Sequence, residues 1–503
     1  MVKSNILKIS SNYLARLWGI VSVFVFIPLY IKYLGVESYA VIGFYSLLLG
    51  ITGFIDSGMS SAVLKEFSIE NTSNYKYSIL TSIEKKYIII CFILIIIFIV
   101  NSNFISNSWL TSEFISSSRL QYYIVLISIG ICLQLLSSLY YGAFFGLNEQ
   151  VRANIYQIIW SVSKSLLVII YFIFFNANLE IYFWWQIICN LLYLLILRYS
   201  IIKKLEEPNG KLNIIIKKIP KHILSYIINV TFIAILTSLN GYADKLIASS
   251  LFTLSVFGFY NIASTISQFP LYVSSPLVLF VFPSIARLYH EKKIFRLNHL
   301  IFKIYVLLII VTLPIVFTVI SFNKEIMGIW TGKILDGEAA NSYGTLIKFL
   351  VSGYFFTAMQ LPLYYILLAS DRTRFSVIQS IVQILVGVPL LYISAKFYGI
   401  TYIGAVWFFL SFFSFLSIFI YSVRKNVLLI RNKRIFFQLI LLPLLVNILI
   451  YGSVFSLNLI DSVGFFVLAP SSFCLSIVIS VICNNYLNHT KLLSLTNILR
   501  FYN

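Results

Sequence analysis

The sequence predicts an all-α polytopic membrane protein of about fourteen transmembrane helices, and three observations predict it. The 503 residues are 60% hydrophobic and only 11% charged, where soluble domains average about 25% charged residues. Apolar runs of spanning length follow one another with no polar linker of the kind that separates soluble domains. Lysine and arginine are sorted into alternate loops. Mean hydropathy is +0.93, which excludes a soluble enzyme or a disordered scaffold.

A helix needs about 20 apolar residues to cross the hydrocarbon core. That criterion places spans at 12–33, 39–63, 87–104, 119–144, 153–175, 179–199, 223–249, 255–285, 300–320, 344–369, 374–395, 400–422, 435–457 and 463–486. Closed barrels, the other spanning structure, alternate apolar and polar residues. Ile88 to Val100 does not alternate, so the spans are helical. Met1 to Ser11 is short and polar and runs into a full-length apolar segment with no small-residue cleavage site, which reads as a first span and not a signal peptide. The five cysteines (Cys91, Cys132, Cys189, Cys474, Cys483) sit inside apolar runs without metal or disulfide spacing. No cofactor or metal is expected.

Of the 37 Lys and Arg residues, 29 fall in one set of alternate loops plus the termini, and six (Lys32, Arg119, Lys324, Lys333, Lys348, Lys396) in the other. Lys164 and Lys245 fall within spans. The positive-inside rule then puts both termini in the cytoplasm. The net charge of +20 is therefore a topology signal, and no nucleic-acid partner is implied. All four histidines (His222, His290, His299, His489) lie at or near the cytoplasmic face, and the longest outer loop runs only from Ser321 to Tyr343. An extracytoplasmic catalytic domain has no room, so a non-enzyme is expected.

The chain also reads as a duplication. Ala40-Val41-Ile42-Gly43-Phe44-Tyr45 recurs as Ser255-Val256-Phe257-Gly258-Phe259-Tyr260. Leu139-Tyr140-Tyr141 before Asn148 to Arg152 recurs as Leu363-Tyr364-Tyr365 before Ser370 to Arg374. Six spans per half make the copies parallel, a common transporter design. The expected division is a six-helix lobe over 1–200, a basic cytoplasmic linker over 201–222, a second six-helix lobe over 223–430, and two further helices with a tail over 431–503.

Tyr33-Leu34-Gly35-x-x-x-Tyr39, Gly43-Phe44-Tyr45 and Asp56-Ser57-Gly58, with Asp244-Lys245-x-Ile247-Ala248 and Val256-x-Gly258-x-Tyr260-Asn261-x-Ala263 in the second half, carry a resemblance. The chain resembles the polysaccharide (O-antigen type) flippases of the multidrug/oligosaccharidyl-lipid/polysaccharide exporter superfamily. It departs at Ala40, where the family often has glycine after the aromatic. The resemblance implies two six-helix lobes related by a pseudo-twofold axis around a central cavity. It implies export of an undecaprenyl-diphosphate-linked oligosaccharide from the cytoplasmic to the periplasmic leaflet of the bacterial inner membrane by alternating access. Expected partners are membrane lipids, a polysaccharide polymerase and a chain-length regulator.

Ionisable groups inside the bilayer cost at least about 2.5–3.5 kcal/mol on insertion scales, so each asks for a reason. Lys164 sits halfway along its span between Ser163 and Ser165, beyond snorkelling range. Arg16, Lys164 and Lys245 are the candidate cavity cations, because Arg and Lys bind diphosphate by charge-assisted hydrogen bonds. Arg16 is equally placed to snorkel to the inner headgroups. Asp56 and Asp244 are candidate cavity or coupling acids; Asp56 also suits a packing carboxylate, and Asp244 with Lys245 a structural pair. Asn154, Gln157, Gln268, Gln360 and Gln383 are candidate sugar contacts, alongside Trp160, Gln186, Asn190 and Gln379. Two rival functions differ in what they need. A multidrug cation antiporter would be expected to carry a buried acid in the first span, which has none. A membrane glycosyltransferase, either an O-antigen polymerase or a ligase, would be expected to carry a long outer loop rich in Arg, His or Asp.

Overall fold

The computed structural model describes residues 2–69, 72–206, 219–332, 337–370, 372–425, 433–456 and 462–488. Among these the chain is helical throughout: α1 (Val2–Leu34), α2 (Val36–Ser68), α3 (Ser73–Phe104), α4 (Ser117–Gly146), α5 (Gln150–Phe174), α6 (Leu179–Leu205), α7 (Lys221–Leu251), α8 (Leu254–Ser267), α9 (Phe269–His290), α10 (Ile294–Ser321), α11 (Asn323–Thr331), α12 (Gly337–Ala369), α13 (Thr373–Tyr398), α14 (Ile400–Arg424), α15 (Lys433–Ser456) and α16 (Ser462–Asn488). Eleven described helices are long and apolar enough to cross a membrane, and Trp18–Leu34, Leu441–Val454 and Val467–Ile482 add three shorter apolar stretches.

The expected single span over 255–285 is two helices. α8 stops at Ser267, Gln268 stands between, and Pro270 sits in the first turn of α9. Proline lacks the N–H that an unbroken helix needs, whereas the first turn tolerates it. α3 begins at Ser73, fourteen residues before the expected span. The ends α1–α2 and α13–α14 turn on Gly35 and Gly399, at φ +82° and +89°, a region that side chains with a Cβ rarely enter.

Residues group by contact into unit 1 (Met1–Phe259) and unit 2 (Tyr260–Asn503). α7 groups with unit 1, where it packs along α2. That seam depends on small residues: a Cβ on Gly58 would lie 2.7 Å from the Ile227 carbonyl oxygen. Residues 207–218, the middle of that linker, lie outside the described residues.

Each unit repeats the same pairings. α2 packs on α4, α4 on α3 and α6, and α5 on α6. In unit 2, α9 packs on α12, α12 on α10 and α14, and α13 on α14. Lipid supplies no hydrophobic drive for helix association, so close van der Waals fit decides these seams. The cores match as well. Val63, Phe67, Leu80, Ile83, Leu139 and Phe144 form one; Ile285, Ile301, Leu308, Leu363, Ile366 and Ile418 form the other. α15 and α16 dock on α10. The cover of α5 is not repeated: α1 packs on α5 in unit 1, and among the described residues no helix of unit 2 covers α13 in the same way.

Candidate functional site

The site is built on one face of α5. Asn154, Gln157, Ser161 and Lys164 recur at helical spacing and so share that face. Lys164 lies about 21 Å from the start of α5 and about 15 Å from its end, which is mid-span. None of the ion pairs among the described residues includes it. Its ammonium instead stands over the indole of Trp160, 4.2 Å from the ring centroid. A desolvated cation–π contact supplies about 2 kcal/mol. That is of the same order as the insertion cost of about 2.5–3.5 kcal/mol, so the indole offsets much of it.

The indole is itself held. Trp160 Nε1 donates to Asn190 Oδ1 at 3.0 Å, and its ring stacks on Tyr193 with centroids 4.9 Å apart. Asn190, fully buried on α6, donates to the Gly130 carbonyl at 3.2 Å and to the Tyr45 hydroxyl at 3.5 Å. Two further α6 side chains fix α5 at the level of the lysine. Trp185 donates to the Ser163 carbonyl at 3.0 Å, and Gln186 to the Lys164 carbonyl at 3.1 Å. α1 closes the same face, with Trp18 Nε1 donating to Ser161 Oγ at 3.1 Å.

Toward the start of α5, the Tyr141 hydroxyl lies 2.9 Å from Asn154 Oδ1 and 2.8 Å from Gln157 Oε1. Asn154 Nδ2 donates to Ser11 Oγ at 3.1 Å. The result is a cation, an aromatic face and a row of amides and hydroxyls along one helix. Diphosphate recognition needs the first, and sugar recognition uses the other two. Trp18, Tyr45 and Tyr141 were not among the candidate site residues of the sequence, although Tyr141 stands in the repeated Leu-Tyr-Tyr motif. Tyr45 stood in the repeated Gly-Phe-Tyr motif, and Trp18 stands two residues from Arg16.

The other candidates lie elsewhere. Arg16 belongs to α1, and its side chain lies outside the described residues. Asp56, on α2, accepts from Tyr87 of α3 at 3.2 Å and from Ser138 of α4, so it occupies a three-helix junction. Asp244 is fully buried, and Lys245 follows it about 9 Å from the end of α7. α7 packs on α2 while α5 packs on α1 and α6, so Lys245 and Lys164 belong to different helix groups. In unit 2, Gln268 donates to the Ser264 carbonyl at 3.2 Å and accepts from Tyr272 at 3.2 Å. Gln360 accepts from Ser414 at 2.8 Å. Gln383 lines a groove between α13 and α14. Of the five candidate sugar contacts, only Asn154 and Gln157 join Lys164 on one face.

Among the described residues no group of three or more His, Cys, Asp or Glu side chains could hold a metal.

Comparisons with known proteins bear on the family and the fold. The profile of the family described as polysaccharide biosynthesis protein matches residues 6–289, and that of MatE matches residues 230–393. A Shigella flexneri protein named "Putative O-antigen transporter" is 20% identical over 378 residues, covering 74% of this chain and 87% of its own length. Among solved structures, the lipid II flippase MurJ in an inward closed conformation superposes with a TM-score of 0.74 at 16% identity, covering 96% of this chain and 99% of MurJ. An inward-facing multidrug resistance MATE transporter of the MOP superfamily gives 0.63 at 15% identity, over 84% and 98% of the two chains. These likenesses establish the fold.

Proposed function

The chain belongs to the polysaccharide biosynthesis protein family, and from that membership we propose that it is a flippase for a polyprenyl-diphosphate-linked oligosaccharide, not an enzyme. Undecaprenyl diphosphate is the carrier and an O-antigen or similar surface-polysaccharide repeat unit the glycan. One observation carries the reading: Lys164, mid-span and without an acidic partner among the described ion pairs, backed by Trp160 and flanked by amides.

Transport runs from the cytoplasmic to the periplasmic leaflet of the inner membrane by alternating access, with both termini in the cytoplasm. A negative interior favours outward movement of two negative charges by about 4–5 kcal/mol per 100 mV, so the potential itself assists export. Arg16 and Lys245 remain proposed secondary cations, and a polymerase and chain-length regulator proposed partners. A cation antiporter needs a carboxylate free to exchange ions, and the hydroxyls of Tyr87 and Ser138 engage Asp56. That observation favours the flippase.

Complementation tests the reading. In a strain whose own flippase gene is deleted, the wild-type chain should restore surface polysaccharide. Lys164→Ala should fail at equal protein abundance, and Lys164→Arg should restore part of it. Normal export by Lys164→Ala would remove Lys164 from the mechanism. Orientation is checked by reporter fusions: Glu206 and Asn488 should report cytoplasm and Asp336 periplasm. The reverse pattern at Asp336 would overturn the topology.

A further inference from the structure

The uncovered face of α13 forms, with α14, a groove of about 620 Å³ in unit 2. Its walls are apolar: Ile378, Val382, Val386 and Leu390 on one side, Phe409 and Phe413 on the other. The polar floor is largely satisfied, since Gln379 donates to Ser414 and Ser417 at 2.9 Å each. We propose that this groove is a loading site for the isoprenoid tail of the lipid carrier, with the carrier phosphate at the basic mouth where α13 begins and α14 ends. This rests on the flippase reading, whose headgroup site at Lys164 is separate.

Three observations favour a long phosphate-bearing chain as occupant. First, the lining of α13 runs from Phe375 to Leu390, about 22 Å of helix. One leaflet of the hydrocarbon core is about 15 Å deep, so a single chain that fills the groove runs past the midplane, further than an acyl chain of one leaflet reaches. Second, the mouth is cationic. Arg372 donates to the Lys425 carbonyl at 3.2 Å, Phe375 stacks on Tyr421 beside it, and Arg374, Arg424 and Lys425 are exposed there. Asp371, next to Arg372, is the one acid between Glu338 and Asp461, so four cations face one carboxylate in the sequence around the mouth, and none of the ion pairs among the described residues uses these cations. Guanidinium groups bind phosphate as a fork, by paired hydrogen bonds. Third, the repeat register, Arg152 to Arg374, aligns Trp160 with Val382 and Lys164 with Val386. The positions that hold charge and indole in the first copy are apolar and half-exposed in the second, at 52% and 50%.

The test is native mass spectrometry of the purified full chain with undecaprenyl phosphate, which carries no glycan and requires no transport. The wild type should retain the lipid. Filling the groove with Val382→Trp or Val386→Trp should weaken retention by about tenfold, and the double charge reversal Arg374→Glu/Arg424→Glu should do the same. Ile89→Trp, on an exposed face of α3, should leave retention unchanged. Farnesyl phosphate should bind more weakly, and phosphatidylglycerol should not displace the long chain at equal concentration. Two independent groove-filling positions guard against one variant misfolding, and size-exclusion profiles check both. Equal retention in wild type and groove-filled variants would overturn the proposal, as would equal competition by phosphatidylglycerol. So would a photo-crosslinker at Val382 that captures only α7, which would make the groove a seat for the chain's own helix. Loss of groove binding alongside a normal Lys164 phenotype would sink the tail site and leave the flippase standing. Groove-dependent binding in a chain that exports no glycan would do the reverse.

Discussion

α5 and α13 occupy equivalent places in the two repeats, yet they present opposite chemistry. α5 carries Gln157, Trp160, Ser161 and Lys164 and lies under α1, whose Trp18 reaches Ser161. α13 carries Gln379, Val382, Gln383 and Val386 at the same register and stays open as a groove. Gln157 and Gln379 are the same residue type at equivalent positions, and both are spent on neighbouring hydroxyls. What differs is the turn or two beyond them. The two units share their helix pairings, and a few side chains give charge to one copy and apolar surface to the other.

The largest effect expected from breaking this contrast comes from giving α5 the residue of its counterpart. Lys164→Val should lower export at least tenfold, roughly 1.4 kcal/mol or more, and adding Val386→Lys should not rescue it. Rescue would mean that only net charge matters and that the two faces are interchangeable. Next is Trp160→Ala, which removes a contact worth about 0.5–2 kcal/mol. Export should drop by about two- to thirtyfold at normal abundance, with Trp160→Phe intermediate; an unchanged rate would confine Trp160 to packing. The smallest effect on transport belongs to Asp56→Asn. Hydrogen bonds to a charged group contribute about 1.5–3 kcal/mol, so thermal stability should fall while export per molecule is kept. Abolished export at full stability would return Asp56 to the role of coupling acid.

Much of the fold was legible in the sequence, because spanning is a sum over about 20 residues that no single side chain can hide. The repeat was legible for a related reason: two motifs in the same order survive in both halves, and the pairings of the helices now repeat with them. The break at Gln268 was carried by one residue, Pro270, and Pro362 or Pro389 inside unbroken helices shows why proline alone does not announce a break. That α7 follows α2 was not legible, since it turns on a few atoms at Gly50 and Gly58 meeting Tyr242 and Ile227. The site divides the same way. The depth of Lys164 followed from counting, whereas its seat over the Trp160 indole came from the structure. The partners from other helices, Asn190, Tyr45 and Trp18, are tertiary facts. Asp56 could not be assigned from its position, because only the approach of Tyr87 and Ser138 marks it as a junction residue.

The central claim is that the first repeat holds the diphosphate of a lipid-linked glycan through Lys164. Its most direct test is translocation of purified polyprenyl-diphosphate-linked oligosaccharide in proteoliposomes, read as the glycan that becomes accessible to an external glycosidase. The wild type should move it, Lys164→Arg should retain part of the rate, and Lys164→Ala should approach protein-free vesicles. Equal rates for the wild type and Lys164→Ala would contradict the account.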